Sequence, residues 1–221
     1  MILKQMIVGS MGVCCYIVAC ERTGKAAVID PGGDENKILK EIAARNLTVD
    51  AIIATHGHPD HVCGNRRIKE ATGARIIMHR EDSRFFGRPE VGEYFAMLGM
   101  EPSPPVDEEV EDGDIITVGE VQLKVIHTPG HTPGGMCLYC APDLITGDTL
   151  FVGGVGRTDF PGAPPSSSSP RSPTGSSSCR KRQWSGPATA MAAAARPSVA
   201  RKKATPISDP VKPAPASPTL L

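Results

Sequence analysis

Residues 55–61, with the sequence THGHPDH, constrain the fold more than any other segment, because four of these seven residues can bind a metal ion. The four are His56, His58, Asp60 and His61. The preceding residues 51–54, AIIA, are apolar and rich in β-branched side chains, which is typical of a buried strand. Three of the six histidines in the chain lie within six residues. This density favours a metal-binding loop at the end of a strand over a polar loop with solvated histidines.

The order of these residues indicates two adjacent metal ions. His56 and His58 alternate, so an extended backbone directs both rings to the same side. Pro59 then bends the chain, and Asp60 and His61 follow the bend. We therefore expect His56 and His58 to bind one ion, and Asp60 and His61 to bind the other.

Two further candidate ligands follow predicted strands. His131 lies in the turn HTPGHTPG of residues 127–134, and Asp148 lies in TGDT of residues 146–149. Both positions repeat the arrangement of the first motif, a polar residue in a turn after a strand. We expect His131 to complete a three-nitrogen group for the first ion and Asp148 to bridge to the second.

Three other polar residues leave alternatives open. His127 could support a ligand or simply end a strand, and the second interpretation is favoured. Asp30 ends a predicted strand and could orient a ligating histidine or cap a turn, with neither favoured. His79 is expected to be a surface or half-buried strand residue.

The hydrophobic pattern predicts an α+β fold. Strands are predicted over residues 2–8, 13–19, 25–30, 51–55, 75–78, 114–118, 121–127, 135–140 and 143–147. Helices are predicted over 35–45 and 62–72 and in parts of 81–100, and the acidic, proline-rich residues 101–113 are predicted to form a surface loop. Strands of antiparallel type in both halves favour two packed sheets with helices outside over a doubly wound parallel sheet.

The composition divides the chain into two segments. Residues 1–163 carry 23 acidic and 15 basic side chains, whereas residues 164–221 carry one acidic and nine basic ones. Of the 58 residues in the second segment, 33 are proline, serine or alanine, and hydrophobic periodicity is lost. Such a segment cannot bury enough apolar surface to offset its ordering entropy. We expect one folded domain over 1–163 and a disordered basic tail over 164–221.

The cysteines and the apolar segments indicate a protein of a reducing compartment. The chain has seven cysteines, an odd number, and most lie in predicted strands, which favours free thiols over a disulfide framework. The CxxC spacing of Cys137 and Cys140 falls within a strand, so a redox or zinc role is not favoured. Glycines interrupt the apolar residues 6–19, so we do not expect a signal peptide there. The sequence contains no run of about 20 apolar residues, the length needed to span a membrane. A cytoplasmic location is expected.

The combined motifs THGHPDH, TPGHTPG, TGD and GGVGRTDFPG resemble the metallo-β-lactamase superfamily, and within it the small glyoxalase II-like hydrolases. The resemblance covers residues 2–162 and implies an αββα sandwich with a metal pair, of zinc or alternatively iron or manganese, at one edge of the sheets. It implies Asp148 as the bridging ligand. It also implies hydrolysis of a small thioester such as an S-acylglutathione by a metal-bound hydroxide, with Asp60 orienting the nucleophile or moving its proton. Arg157 could meet a substrate carboxylate or form a structural ion pair, which is slightly favoured.

The sequence departs from the family pattern near its end, so we expect a sandwich that is incomplete at its C-terminal end and one or two bound metal ions. The family carries one more ligand, a histidine in a Gly-His-Gly turn that completes the second metal site, but this chain has no histidine after His131. When residues 183–207 are read one base out of register, suitable codons allow VVRPGHGHGGGGPTIGREKKSNPY, which looks like the family's ending. We therefore hypothesise that a frameshift near residues 163–166 produced the tail. The alternative is a genuine disordered appendage.

Three other functions stay open. Persulfide dioxygenases share the fold and would use a single iron held by His56, His131 and Asp148. The basic tail could bind nucleic acid through phosphates, which is not favoured because Trp184 is the only aromatic residue there. A damaged chain could have little activity. The expected partner is a small-molecule substrate, and the oligomeric state is left open.

Overall fold

The computed structural model describes residues 1–159, which form two packed β-sheets with helices outside the first sheet. The first sheet has six strands in chain order: β1 Ile2–Val8, β2 Val13–Ala19, β3 Lys25–Ile29, β4 Thr48–Ala54, β5 Arg75–His79 and β6 Glu108–Val110. Strands β1 to β3 are antiparallel, and β3 to β6 are parallel. The carboxyl ends of β3, β4 and β5 therefore meet at one edge.

The second sheet is antiparallel and has the spatial order β10-β9-β8-β7. Its strands are β7 Ile115–Val118, β8 Val121–His127, β9 Met136–Cys140 and β10 Asp143–Ile145. A short hairpin follows, with β11 Leu150–Phe151 and β12 Gly154–Val155. The helices are α1 Glu35–Ala44, α2 Pro59–Val62, α3 Asn65–Thr72, α4 Arg80–Phe86 and α5 Pro89–Met97. A 3-10 turn covers Gly147–Thr149.

Two hydrophobic cores lie on the two faces of the first sheet. Strand β2 is buried at all seven positions because alternate side chains enter different cores. Tyr16 packs between the sheets with Leu123, whereas Ile17 packs on the other face with Ile38 and Ile68 of α1 and α3. Burial of each large side chain of this kind contributes roughly 1.5–3 kcal/mol. This packing fixes the sheet edge at which the polar loops meet.

The predicted element types are confirmed for most of the described chain, with three corrections. The helix predicted over 62–72 begins only at Asn65, because α2 ends at Val62 and the backbone N–H of Gly64 donates to the carbonyl of Pro31 over 2.9 Å instead of to a helical carbonyl. Residues 101–113 are not entirely loop, because β6 pairs with β5 and buries Val110. The first sheet is mixed, so the expectation of antiparallel strands in both halves was wrong for β3 to β6.

The predicted tail of residues 164–221, its shifted reading and the boundary at 163 lie outside the described residues. Within residues 1–159, no helix is long and apolar enough to cross a membrane.

Candidate metal centre

Three histidines from two loops meet at the carboxyl edge of the first sheet. His56 and His58 lie in the loop after β4, and His131 lies in the loop between β8 and β9. One ring nitrogen of each of these three residues lies within 4.8 Å of the others. Nδ1 of His58 is 2.9 Å from Nε2 of His131. The three residues predicted to share one metal ion are therefore brought together.

A second group lies beside the first and shares His56. Potential ligand atoms of Asp30, His56 and His61 also lie within 4.8 Å of one another. Nδ1 of His61 is 3.0 Å from Oδ2 of Asp30, and both side chains are buried. Of the two alternatives for Asp30, contact with a candidate ligand is the one the structure shows.

The carboxylate of Asp148 faces both groups. Its Oδ1 lies 3.3 Å from Nε2 of His61, and its Oδ2 lies 3.5 Å from Nε2 of His131. Asp60 approaches the same nitrogen of His61, with 3.9 Å between Oδ2 and Nε2. A carboxylate with one oxygen toward each group has the arrangement required of a shared ligand.

A strained turn and two close contacts hold Asp30 in place. Asp30 has a positive φ of 51°, a conformation that non-glycine residues seldom adopt. Its Oδ1 accepts a hydrogen bond from the backbone N–H of Thr55 at 2.7 Å, and its Oδ2 accepts one from the Thr55 hydroxyl at 2.6 Å. Gly147, with φ 48°, lies so close to Thr55 that a Cβ would collide with the threonine side chain. These contacts join the ends of β3 and β4 to the turn that carries Asp148.

Burial and neighbouring charges shift the pKa values of His56 and His61 in opposite directions. Burial lowers the pKa of His56 well below its usual range, and the adjacent His61 lowers it further. Burial alone would also lower the pKa of His61, but the carboxylates of Asp148 and Asp30 outweigh burial and hold it well above its usual range. Without a metal ion, His61 is therefore the protonated member of the pair.

The donor set fits a metal ion. Nε2 of His56 is buried and makes no hydrogen bond within the described part of the chain, whereas the buried Nε2 of His61 faces the carboxylate of Asp148 over 3.3 Å. A buried polar atom is rarely left without a hydrogen bond, because its burial then costs about 1–3 kcal/mol. Imidazole nitrogens and carboxylate oxygens are ligands that zinc, iron and manganese accept. A cation at this position would satisfy both nitrogens.

Asp60 borders a cavity that opens beside the candidate ligands. The cavity has a volume of about 280 Å³, and Ser10, Met11, Cys63 and Met100 contribute to its walls. Asp60 is partly exposed, unlike the neighbouring His61. A substrate in this cavity would lie against Asp60.

The remaining candidates lie outside the two groups. His127 ends β8, and Nε2 of its ring lies 2.9 Å from the carbonyl of Pro133. His79 is buried and stacks on His127 with 4.0 Å between ring centroids, so it is more buried than expected. The exposed Arg157 forms an ion pair with Asp159, which agrees with the favoured structural role, and its carbonyl lies 2.8 Å from Nδ1 of His131.

Sequence reasoning missed Asp82, a fully buried carboxylate beside both histidine loops. It accepts hydrogen bonds from Gly57 N–H, the Thr132 hydroxyl and Gly134 N–H. The only local signal was an acidic residue in the first turn of a short helix, which is also typical of helix ends in general.

Comparison with known proteins identifies the family. The model of the metallo-beta-lactamase superfamily matches residues 9–194. This chain belongs to that superfamily. The predicted αββα sandwich class is thereby confirmed, as is the resemblance to glyoxalase II-like members.

The similar proteins include two bacterial relatives. An uncharacterized protein of Aquifex aeolicus is 46% identical over 165 residues, which cover 73% of this chain and 77% of the relative. The hydroxyacylglutathione hydrolase GloC of Haemophilus influenzae is 34% identical over 140 residues, which cover 62% and 66% of the two chains.

Three solved structures share the fold. The B3 metallo-beta-lactamase BLEG-1 has a TM-score of 0.66 at 27% identity, over 73% of this chain and 79% of the other. TTHA1623 in a di-iron-bound form has a TM-score of 0.63 at 30% identity, over 73% and 80%. ETHE1 from Myxococcus xanthus has a TM-score of 0.61 at 27% identity, over 74% and 64%.

Proposed function

We propose that this protein is a metal-dependent hydrolase that cleaves thioesters, with S-acylglutathiones as the substrate class and zinc as the metal. The observation that carries the proposal is the Asp148 carboxylate, whose two oxygens face His61 and His131 separately. The similarity to a hydroxyacylglutathione hydrolase supports the thioester part. We also infer a cytoplasmic location, which fits the six cysteines that form no disulfide among the described residues.

Two sets of side chains would hold the metal ions. The first set is His56, His58 and His131, and the second is Asp60 and His61, with Asp148 shared. Bound zinc would supply Lewis acidity and would lower the pKa of a bound water to about 7.

Contacts behind the two histidines that face Asp148 direct them toward it. Nδ1 of His61 lies against Asp30, and Nδ1 of His131 lies against the carbonyl of Arg157, so each ring turns Nε2 to Asp148. An acceptor at Nδ1 favours a proton on that nitrogen, so that in the neutral ring Nε2 carries the lone pair. Once His61 has lost its second proton, both rings are in the tautomer that a cation requires.

Asp60 is the side chain proposed to handle a proton. It lies at the border between the cavity and the candidate ligands, and its side chain is 17% exposed, so it can reach both. A carboxylate in this position can accept a hydrogen bond from an attacking water and orient it toward a carbonyl carbon. Met11 and Met100 give the cavity an apolar wall against which a bound acyl group would lie.

A second candidate function is persulfide dioxygenation with one iron held by His56, His131 and Asp148. The structural similarity to ETHE1 favours this alternative. The second group around His61 and Asp30 favours the hydrolase, because a single iron held by His56, His131 and Asp148 would leave His61, which also faces Asp148, without a metal to bind.

Parallel assays of one preparation would separate these functions. The full chain, loaded in turn with zinc and with iron, is given S-lactoylglutathione, glutathione persulfide and a β-lactam. We expect thiol release from the thioester and no oxygen consumption. Oxygen consumption with the persulfide, in the iron form alone, would support the dioxygenase instead, and lactam cleavage without thioester cleavage would contradict both.

A further inference from the structure

One buried carboxylate joins the two loops that supply the three-histidine group. Asp82 lies in the first turn of α4 and is completely inaccessible to solvent. Its Oδ2 accepts hydrogen bonds from Gly57 N–H at 2.9 Å and from the Thr132 hydroxyl at 2.8 Å, and its Oδ1 accepts one from Gly134 N–H at 2.5 Å. These donors come from two loops that belong to different sheets.

The three donors directly flank the candidate ligands. Gly57 separates His56 from His58, and Thr132 follows His131. A shift of Asp82 would therefore move both sides of the 2.9 Å contact between His58 and His131. Displacements of about 1 Å are large for a metal site, since donor distances are restricted to within about 0.2 Å.

The glycines at these contacts allow helix α4 to approach closely. A Cβ at Gly57 would collide with the ring of Phe86, and a Cβ at Gly134 would collide with Asp82. Phe86 lies one turn after Asp82 and also packs edge-on against His58, with 5.6 Å between ring centroids. Helix α4 thus supports the loops at two successive turns.

Packing alone does not account for a carboxylate at this position. Burial raises the pKa of Asp82 to about 6, and the three hydrogen bonds only partly oppose this increase. Burial of a charged carboxylate costs several kcal/mol unless donors compensate for it. A carboxylate does, however, accept from all three donors at once, which neither an amide nor an apolar side chain can do.

We propose that Asp82 is a positioning residue that sets the spacing between His56, His58 and His131 for the first metal ion. This inference rests on the metal-binding part of the proposed function. Asp82 is not among the proposed ligands and does not line the cavity beside Asp60, so its effect should appear first in metal affinity and in the geometry of the bound ion.

The test is a titration of the metal-free full chain with cobalt, in which visible absorption reports the binding. Asp82→Asn retains the shape but places an amide N–H₂ against a donor, and we expect about 10–100-fold weaker binding and an altered cobalt spectrum. Asp107→Asn is the matched control, because Asp107 also accepts from a backbone N–H, that of Ile76, but lies away from the two histidine loops. The control should bind cobalt as the wild type does, even where its melting temperature falls.

Thr132 provides a second variant in case Asp82→Asn fails to fold. Thr132→Ala removes one of the three hydrogen bonds, and we expect roughly 3–10-fold weaker cobalt binding, as for the loss of one hydrogen bond of ordinary strength. Thr132→Ser should restore the affinity. If Asp82→Asn or Thr132→Ala bound cobalt with the affinity and spectrum of the wild type, this inference would be overturned, but the proposed function would not. A wild-type chain that binds no cobalt would overturn both this inference and the proposed function.

Discussion

The carboxylate of Asp30 contacts the imidazole of His61 over 3.0 Å, from Oδ2 to Nδ1, and thereby fixes which nitrogen His61 turns to the site. Asp30 is itself held by two hydrogen bonds from Thr55. The orientation of a candidate ligand thus depends on a residue in another strand's loop, 31 positions earlier in the chain.

Asp30→Asn should weaken metal binding at the second group. Asparagine tolerates the positive φ at this position, so the turn should persist. Its amide N–H₂ would face Nδ1 of His61 and favour the tautomer with the proton on Nε2, which opposes coordination. We expect about 10–100-fold weaker binding of the second ion, measured by metal titration with elemental analysis. Asp50→Asn, which alters only a surface pair with Lys25, is the control, and equal second-ion affinity in both variants would contradict the role of Asp30.

His58→Ala should remove the ion of the three-histidine group and abolish thioester hydrolysis. The variant deletes the ring that contacts His131 and leaves the fold's cores intact. Metal content and the rate of thiol release measure the effect of the substitution, and circular dichroism checks that the variant is folded. Unchanged activity with full metal content would show that His58 is not a ligand.

Metal binding should release a proton from His61. Its pKa is raised in the metal-free protein, chiefly by Asp148 and Asp30 acting against burial, so the ring is protonated at neutral pH. The stability gained from this protonation is fully present below pH of about 6.5 and is lost as the pH rises through the higher folded-state value. Metal affinity should therefore increase with pH above neutrality.

Titration calorimetry in buffers of different ionisation enthalpy measures the number of protons released when metal binds. We expect about one proton released per second ion bound. His56, whose pKa is lowered by burial, should contribute none. A binding enthalpy that is independent of the buffer would contradict the protonation state assigned to His61.

The cavity beside Asp60 should discriminate against negative charge on the thiol part of a substrate. Glu35 and Glu101 also line it, and none of the described lining residues is basic. Glu35 is half-buried, and loss of its charge should reduce the electrostatic repulsion of an anionic substrate by up to about 1 kcal/mol. Glu35→Gln should therefore lower KM for S-lactoylglutathione roughly 2–5-fold without changing kcat. Glu120→Gln, in the turn between β7 and β8, should leave KM unchanged. The difference should shrink in high salt, and an unchanged KM would exclude this cavity as the substrate site.

The tail hypothesis has a direct test in the coding DNA. We expect sequencing across codons 155–215 to find a missing or additional base near codon 165. Such a change would restore a Gly-His-Gly turn to the chain. A confirmed reading frame would instead make the tail genuine, and Asp60, His61 and Asp148 would then be the only proposed ligands of the second ion.

The residues that meet at the sheet edge could be predicted from sequence because each lies in a turn after a predicted strand. The strand before His56, residues 51–54, is completely buried, so the start of the polar loop is unambiguous. Parallel pairing of β3, β4 and β5 then brings Asp30 to the same edge, which the sequence left as one of two alternatives. Both its position in a turn after a strand and the resemblance to the superfamily predict Asp148 as a bridging ligand.

The role of Asp82 could not be predicted, because its partners are distant in the chain. Gly57 lies 25 residues before Asp82 and Gly134 lies 52 residues after it. A glycine in the sequence does not indicate that its backbone N–H donates to a distant carboxylate. Strand β6 escaped prediction for a related reason. Its sequence Glu-Glu-Val has only one apolar residue, and pairing with the distant strand β5 determines its conformation.

The metal dependence of thioester hydrolysis decides whether the proposed function holds. Purified full chain is stripped with a chelator, and hydrolysis of S-lactoylglutathione is measured before stripping, after it and after addition of zinc. We expect activity to be lost on stripping and to return in proportion to bound metal. Hydrolysis that persists unchanged in the metal-free chain, or a fully loaded chain that cleaves no thioester, would contradict the proposed function.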